Sequence, residues 1–170
     1  AAVERWHFGP RVQGRVAAGL LPGVAFGISL GVGAHAPGGW GAELVATRCF
    51  ERDIDPARSE VGLSQLALAL CPVGASASDW HVLACAGGGL SWVTASGTEL
   101  DSPETDSGLA AFGLLGIAVE RRIVGEFWLF GTAGAELSAS PTRIFYSRGD
   151  GSQGVLYEAP IVGGSLGVGV

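Results

Sequence analysis

Long apolar runs are missing from this 170-residue chain. With no stretch of 18 or more consecutive apolar residues, a membrane-crossing helix is excluded. Charge is scarce as well, at 15% of residues; lysine and methionine are absent, and all ten basic residues are arginine. Against 16 acidic residues this leaves a net charge of -6, so no basic face for nucleic acid is visible. The three cysteines and three histidines lack the compact spacing of a zinc site. Glycine, by contrast, numbers 29 among many alanines, serines and leucines, a composition that departs from an average soluble domain and leans towards lipid. The length suits a single domain. AAVERW at the start is not a charged-then-apolar leader, so a signal peptide is expected to have been removed or not included, and export is compatible with the chain.

What the chain does have is alternation. In AFGISLGVGAH, Phe26, Ile28, Leu30, Val32 and Ala34 occupy every second position with glycine or serine between them, the period of a β-strand. Eight such runs are read: Trp6 to Leu20, Ala25 to His35, Trp40 to Phe50, Leu63 to Cys71, Trp80 to Thr94, Leu109 to Glu120, Phe127 to Ser140 and Ala159 to Val170. Short links follow the second, fourth and sixth runs. Longer polar links, ERDIDPARSE, GTELDSPETDSG and TRIFYSRGDGSQGVLYE, follow the third, fifth and seventh, while the first hairpin, around LLPGVA, is tight. An even strand count with short turns at one rim and long loops at the other predicts an all-β, antiparallel, up-and-down transmembrane barrel.

Aromatic placement points the same way. Trp6, Trp40, Trp80 and Trp128 each lie at the start of an odd-numbered run, so a meander brings them to one rim together with Phe8 and Phe127. Trp92, Phe50, Phe145, Tyr146 and Tyr157 fall towards the other. Two girdles flanking an apolar band match the two bilayer interfaces. Aromatics filling a soluble core would instead sit at strand centres.

Parity then assigns the faces. Val12, Gly14 and Val16 alternate with Arg11, Gln13 and Arg15, and Trp40, Ala42 and Leu44 alternate with Glu43. The charges share the small-residue face. Eight strands leave an interior just wide enough for side chains, so small and polar residues are expected inside and bulky apolar ones outside. Glu120 is placed inside because a lone carboxylate among lipid tails is expensive, with Leu115, Ile117 and Val119 outside. Trp128 carries inward parity, which a bulge would reverse.

With these features the chain resembles the eight-stranded bacterial outer-membrane barrels of the OmpA-transmembrane-domain or OmpX type. The resemblance is one of architecture and covers almost the whole chain. It implies residence among outer-membrane lipid and lipopolysaccharide, folding through the barrel assembly machinery, a monomer, periplasmic termini and extracellular long loops. Members commonly end in an aromatic residue, whereas this chain ends LGVGV with Val170 last. Roles in the class run from anchors and adhesion factors to lipid-modifying enzymes, so fold alone does not settle function.

Four constellations could carry chemistry. Arg11, Arg15, Glu43, Glu120 and Glu136 share inward parity with Gln13, His35, Gln65, His81 and Thr132. Buried charges must be paired, so a networked, plugged lumen is expected, with Glu43, Glu120, His35 and His81 in a layer near the turn side, Arg11 slightly above, and Arg15 and Glu136 higher. Cys71 and Cys85 flank one short turn at inward parity and are expected to form a disulfide, with Cys49 lacking an evident mate. All three histidines, His7, His35 and His81, map to the turn side, away from the rim where an acyl-transfer site on lipid would be needed, which argues against an enzyme. The acidic loops, with Glu99, Asp101, Glu104 and Asp106 in one and Glu51, Asp53, Asp55 and Glu60 in another, read as solvated, with divalent-cation binding as the alternative. RGDGSQG reads as a turn. The expected protein is a non-enzymatic barrel with a structural, anchoring or loop-presenting role and no cofactor or metal; a lipid-modifying enzyme and a narrow ion channel are the alternatives.

Overall fold

The computed structural model describes residues 7–21, 23–36, 40–54, 59–77, 79–97, 106–125, 127–139, 143–147, 153–158 and 160–170. Its strands are β1 (His7–Ala18), β2 (Val24–His35), β3 (Gly41–Ile54), β4 (Ser59–Ala77), β5 (Trp80–Gly97), β6 (Asp106–Val124), β7 (Phe127–Ser138), β8 (Arg143–Ser147), β9 (Gln153–Glu158) and β10 (Val162–Gly169). Eight of them close into a barrel in the order β1-β10-β7-β6-β5-β4-β3-β2, and every neighbouring pair is antiparallel. Closure joins the first and last wall strands, with Val12 N–H donating to Val170 O at 2.9 Å and Val170 N–H to Val12 O at 3.0 Å. No wall strand is left with an open edge, which a spanning sheet requires because hydrocarbon offers its backbone no partners. The rim where β1 begins and β10 ends is called here the terminal rim, and the opposite one the loop rim.

The wall follows the alternation of the sequence. On β2, Phe26, Ile28, Leu30 and Val32 are exposed while Gly27, Ser29 and Gly33 are buried. Leu30 is 58% exposed and Ser29 only 2%, so the bulky side chains face outwards and the polar one faces the lumen. The same holds on β6, where Leu115 and Ile117 face out and Phe112 and Glu120 in, and on β10, where Leu166 and Val168 face out. Such an exterior is unfavourable in water, since each large aliphatic left exposed forgoes about 1.5–3 kcal/mol. Glycine on the inner face makes room for longer partners: a Cβ on Gly33 would stand 2.6 Å from Arg11 Nε, and one on Gly167 would overlap the Gln13 amide.

Three irregularities re-aim the wall. On β4, Cys71 and Pro72 together oppose Cys85 of β5, a bulge suited to a proline that cannot donate to the ladder. On β6, Ile123 is extra opposite the Phe127–Trp128 step, and on β3 the register shifts between Cys49 and Arg52.

The last long link, expected as a loop, contains β8 and β9, which pair as a separate two-stranded sheet with an Arg143–Glu158 ion pair of 2.9 Å. The β-branched and aromatic residues of IFY and VLY, flanking the glycine-rich RGDGSQG, supply the strand propensity. The RGD triplet itself lies outside the described residues, as do the Glu99, Asp101, Glu104 and Asp55 positions of the acidic loops.

Candidate functional site: an ion-paired lumen

Alternating inward side chains from all eight wall strands fill the lumen in tiers. Nearest the terminal rim, His81 of β5 meets Trp128 of β7 edge-on, with ring centroids 5.1 Å apart. This corrects the girdle assignment of Trp128. The extra residue opposite it sits on β6, so β7 keeps its parity and Trp128 stays on the inward side with Phe130 and Thr132. Beside this tier the Cys71–Cys85 disulfide joins β4 to β5 and packs with Leu83 and Ala118.

The next tier is centred on Arg11. Its Nη2 lies 2.5 Å from Glu120 Oε1 and 2.5 Å from His35 Nε2, and its Nη1 lies 3.7 Å from Glu43 Oε1. A guanidinium offers only donors, so His35 Nε2 accepts. The guanidinium carbon also stands 5.0 Å from the centre of the Phe130 ring. Thus β1, β2, β3 and β6 converge on one cation. One step higher, Gln13 Nε2 donates to Thr132 Oγ1.

The third tier is centred on Arg15 and Glu136. Arg15 Nη2 pairs with Glu136 Oε1 and donates to Ser165 Oγ at 2.9 Å, while Nη1 reaches Thr47 Oγ1 at 3.3 Å. Gln65 Nε2 donates to Glu136 Oε2 at 2.7 Å, and Ser29 and Thr47 hydroxyls are 2.8 Å apart. Glu136 is 1% exposed, so its charge is stabilised wholly by these donors. Above this tier an apolar plug of Leu21, Ala25, Cys49, Val61, Leu63 and Val93, with Leu20 packed against it, fills the lumen towards the loop rim. Cys49 is buried there without a disulfide partner. A cavity of about 90 Å³ remains between the two charged tiers, bordered by Glu43, Thr47, Gln65, Thr132 and Ser165 among others.

The sequence-derived lumen residues Arg11, Gln13, Arg15, His35, Glu43, Gln65, Glu120, Thr132 and Glu136 therefore meet in two connected layers, with His81 on Trp128 below them. Three members were not singled out as lumen ligands: Ser29, Thr47 and Ser165. Each lies at inward parity and in register with Arg15 or its neighbours, a signal that needs the strand pairing and not the parity alone. The contribution of Leu21 was also missed, because a turn residue has no parity to read. His7 pairs through its backbone with His35 at the terminal rim.

The exterior carries the remaining aromatics. Phe8, Trp40, Trp80 and Phe127 face outwards near the terminal rim, and Phe26, Phe50 and Trp92 towards the loop rim. Trp6 lies outside the described residues. Tyr146 and Tyr157, expected in the loop-side girdle, belong to the β8–β9 hairpin and not to the barrel wall, because the chain leaves the wall after β7 and re-enters it only at β10.

No protein-family model and no curated protein matches the chain. Solved structures do. A major outer membrane protein from Thermus thermophilus superposes with a TM-score of 0.66 at 14% identity, over 95% of this chain and 97% of that one. Ail, the attachment invasion locus protein of Yersinia pestis, superposes with a TM-score of 0.51 at 9% identity, over 96% and 94% respectively. Neisserial surface protein A is also similar, with a TM-score of 0.47 at 16% identity over 96% and 94%. At these identities the likeness is one of fold: the chain has the closed eight-stranded antiparallel barrel of outer-membrane β-barrel proteins.

Proposed function

We propose that the protein is an integral outer-membrane barrel that serves as a structural or loop-presenting element, without catalysis and without an open solute pore. One observation carries this reading: large apolar side chains cover the outside of the wall while arginine, glutamate and glutamine are paired inside it. That inversion suits a hydrocarbon solvent. Two ion-paired tiers and the apolar plug argue against free conduction, and the placement of His35 and His81 towards the terminal rim argues against acyl transfer at the loop rim. In this reading the terminal rim is periplasmic, the β8–β9 hairpin and the other long connections are extracellular, and the monomer is inserted by the barrel assembly machinery among phospholipid and lipopolysaccharide.

Gel mobility tests it. Folded in detergent, the unheated chain is expected to run faster than the boiled chain, and to stay dissolved only while detergent is present. Stable dissolution of the folded chain in plain buffer would overturn the reading.

A further inference from the structure

We propose that Arg121, whose guanidinium lies over Trp80, is a receptor for the phosphodiester headgroup of a glycerophospholipid at the terminal rim; this rests on the membrane reading above. Arg121 stands on the outward face of β6, in line with Leu115 and Ile117, where an arginine must find an anion or water. It is paired in register with Trp80 of β5, and its guanidinium carbon lies 5.0 Å from the centre of that ring. A cation–π contact with the ring consumes none of the guanidinium's N–H donors, the fork that grips a phosphate with two parallel hydrogen bonds.

Arg122, the next residue of β6 and in register with the inward Trp128, has the opposite parity and is not part of this receptor. Its Nε donates to Gly125 O at 2.7 Å and its backbone N–H to Asp79 O at 3.0 Å, which ties it to the β6–β7 turn. Among the described residues no carboxylate forms an ion pair with Arg121, whereas Arg11, Arg15 and Arg143 are each so paired. Arg121 is exposed, and Trp80, Trp40 and Phe127 place it at the level of an aromatic girdle, where headgroup phosphates lie. The occupant is a lipid and not free phosphate because the apolar side chains of Val82 and Ile117, on the same outer face, offer a surface for its acyl chains.

Native mass spectrometry of barrels released from nanodiscs containing phosphatidylglycerol into a maltoside detergent reads this directly. Wild type is expected to retain a bound phosphatidylglycerol, and Arg121→Gln to retain it at least about fivefold less, the loss of roughly one charge-assisted contact. Arg143→Gln, on the distant hairpin, is expected to match wild type, and millimolar inorganic phosphate to leave wild-type occupancy unchanged. Equal retention by wild type and Arg121→Gln, or an equal loss in Arg143→Gln, would contradict the site. Heat-dependent gel mobility measured on the same samples separates this from failure of the barrel reading, which would appear as a wild-type chain lacking that mobility.

Discussion

The two charged tiers of the lumen solve one problem in opposite ways. At Arg15 a single carboxylate, Glu136, is enclosed at 1% exposure and takes donors from a guanidinium and an amide, while three hydroxyls complete the layer. At Arg11 one guanidinium is shared by two carboxylates and an imidazole, and the side chains of Glu43 and His35 keep 15% and 27% exposure. The upper tier is an enclosed unit with one anion and one cation. The lower one is redundant and closer to water, and it is backed by the Cys71–Cys85 staple. The difference teaches that a carboxylate can be wholly enclosed in a narrow lumen when a guanidinium and an amide both donate to it, whereas charges that share one cation stay nearer water.

Removing single carboxylates should expose that inequality. The largest effect is expected for Glu136→Ala, which strands the Arg15 guanidinium and leaves the Gln65 amide without its acceptor; a loss of about 3–5 kcal/mol is expected in reversible urea unfolding from lipid vesicles. Glu120→Ala comes next at about 1–3 kcal/mol, because Glu43 remains within reach of Arg11. Glu43→Gln should cost less than about 1 kcal/mol, given its 3.7 Å separation and partial exposure. If Glu43→Gln destabilised as much as Glu136→Ala, the tiers would be energetically equivalent and the comparison would fail.

Much of this interior is legible in the sequence. Glu43, Glu120, His35 and His81 read as one layer with Arg11 slightly above, and Arg15 and Glu136 as a higher one, because a strand has a period of two and a fixed rise; the structure gathers Glu43, Glu120 and His35 on Arg11 and sets His81 against Trp128. What escaped had no such regularity. Leu21 sits in a turn and folds over the lumen by tertiary packing alone. Its place at a strand start points Trp128 to the girdle, against its own parity, and parity prevails. The β8–β9 hairpin was hidden inside a connection whose turn residues were easier to read than its short strands. Arg121 and Trp80 are separate residues in the sequence and become a pair only through the β5–β6 register.

The central claim is that the barrel is inverted, with apolar side chains meeting lipid and charges meeting one another. Methyl-selective NMR of the barrel in lipid nanodiscs tests it without any mutation. Magnetisation transfer from acyl chains is expected at the methyls of Ile28, Leu30, Leu68, Leu115 and Ile117, and not at those of Leu21, Val61, Leu63 and Leu83. Strong transfer to the second set with none to the first would contradict the account.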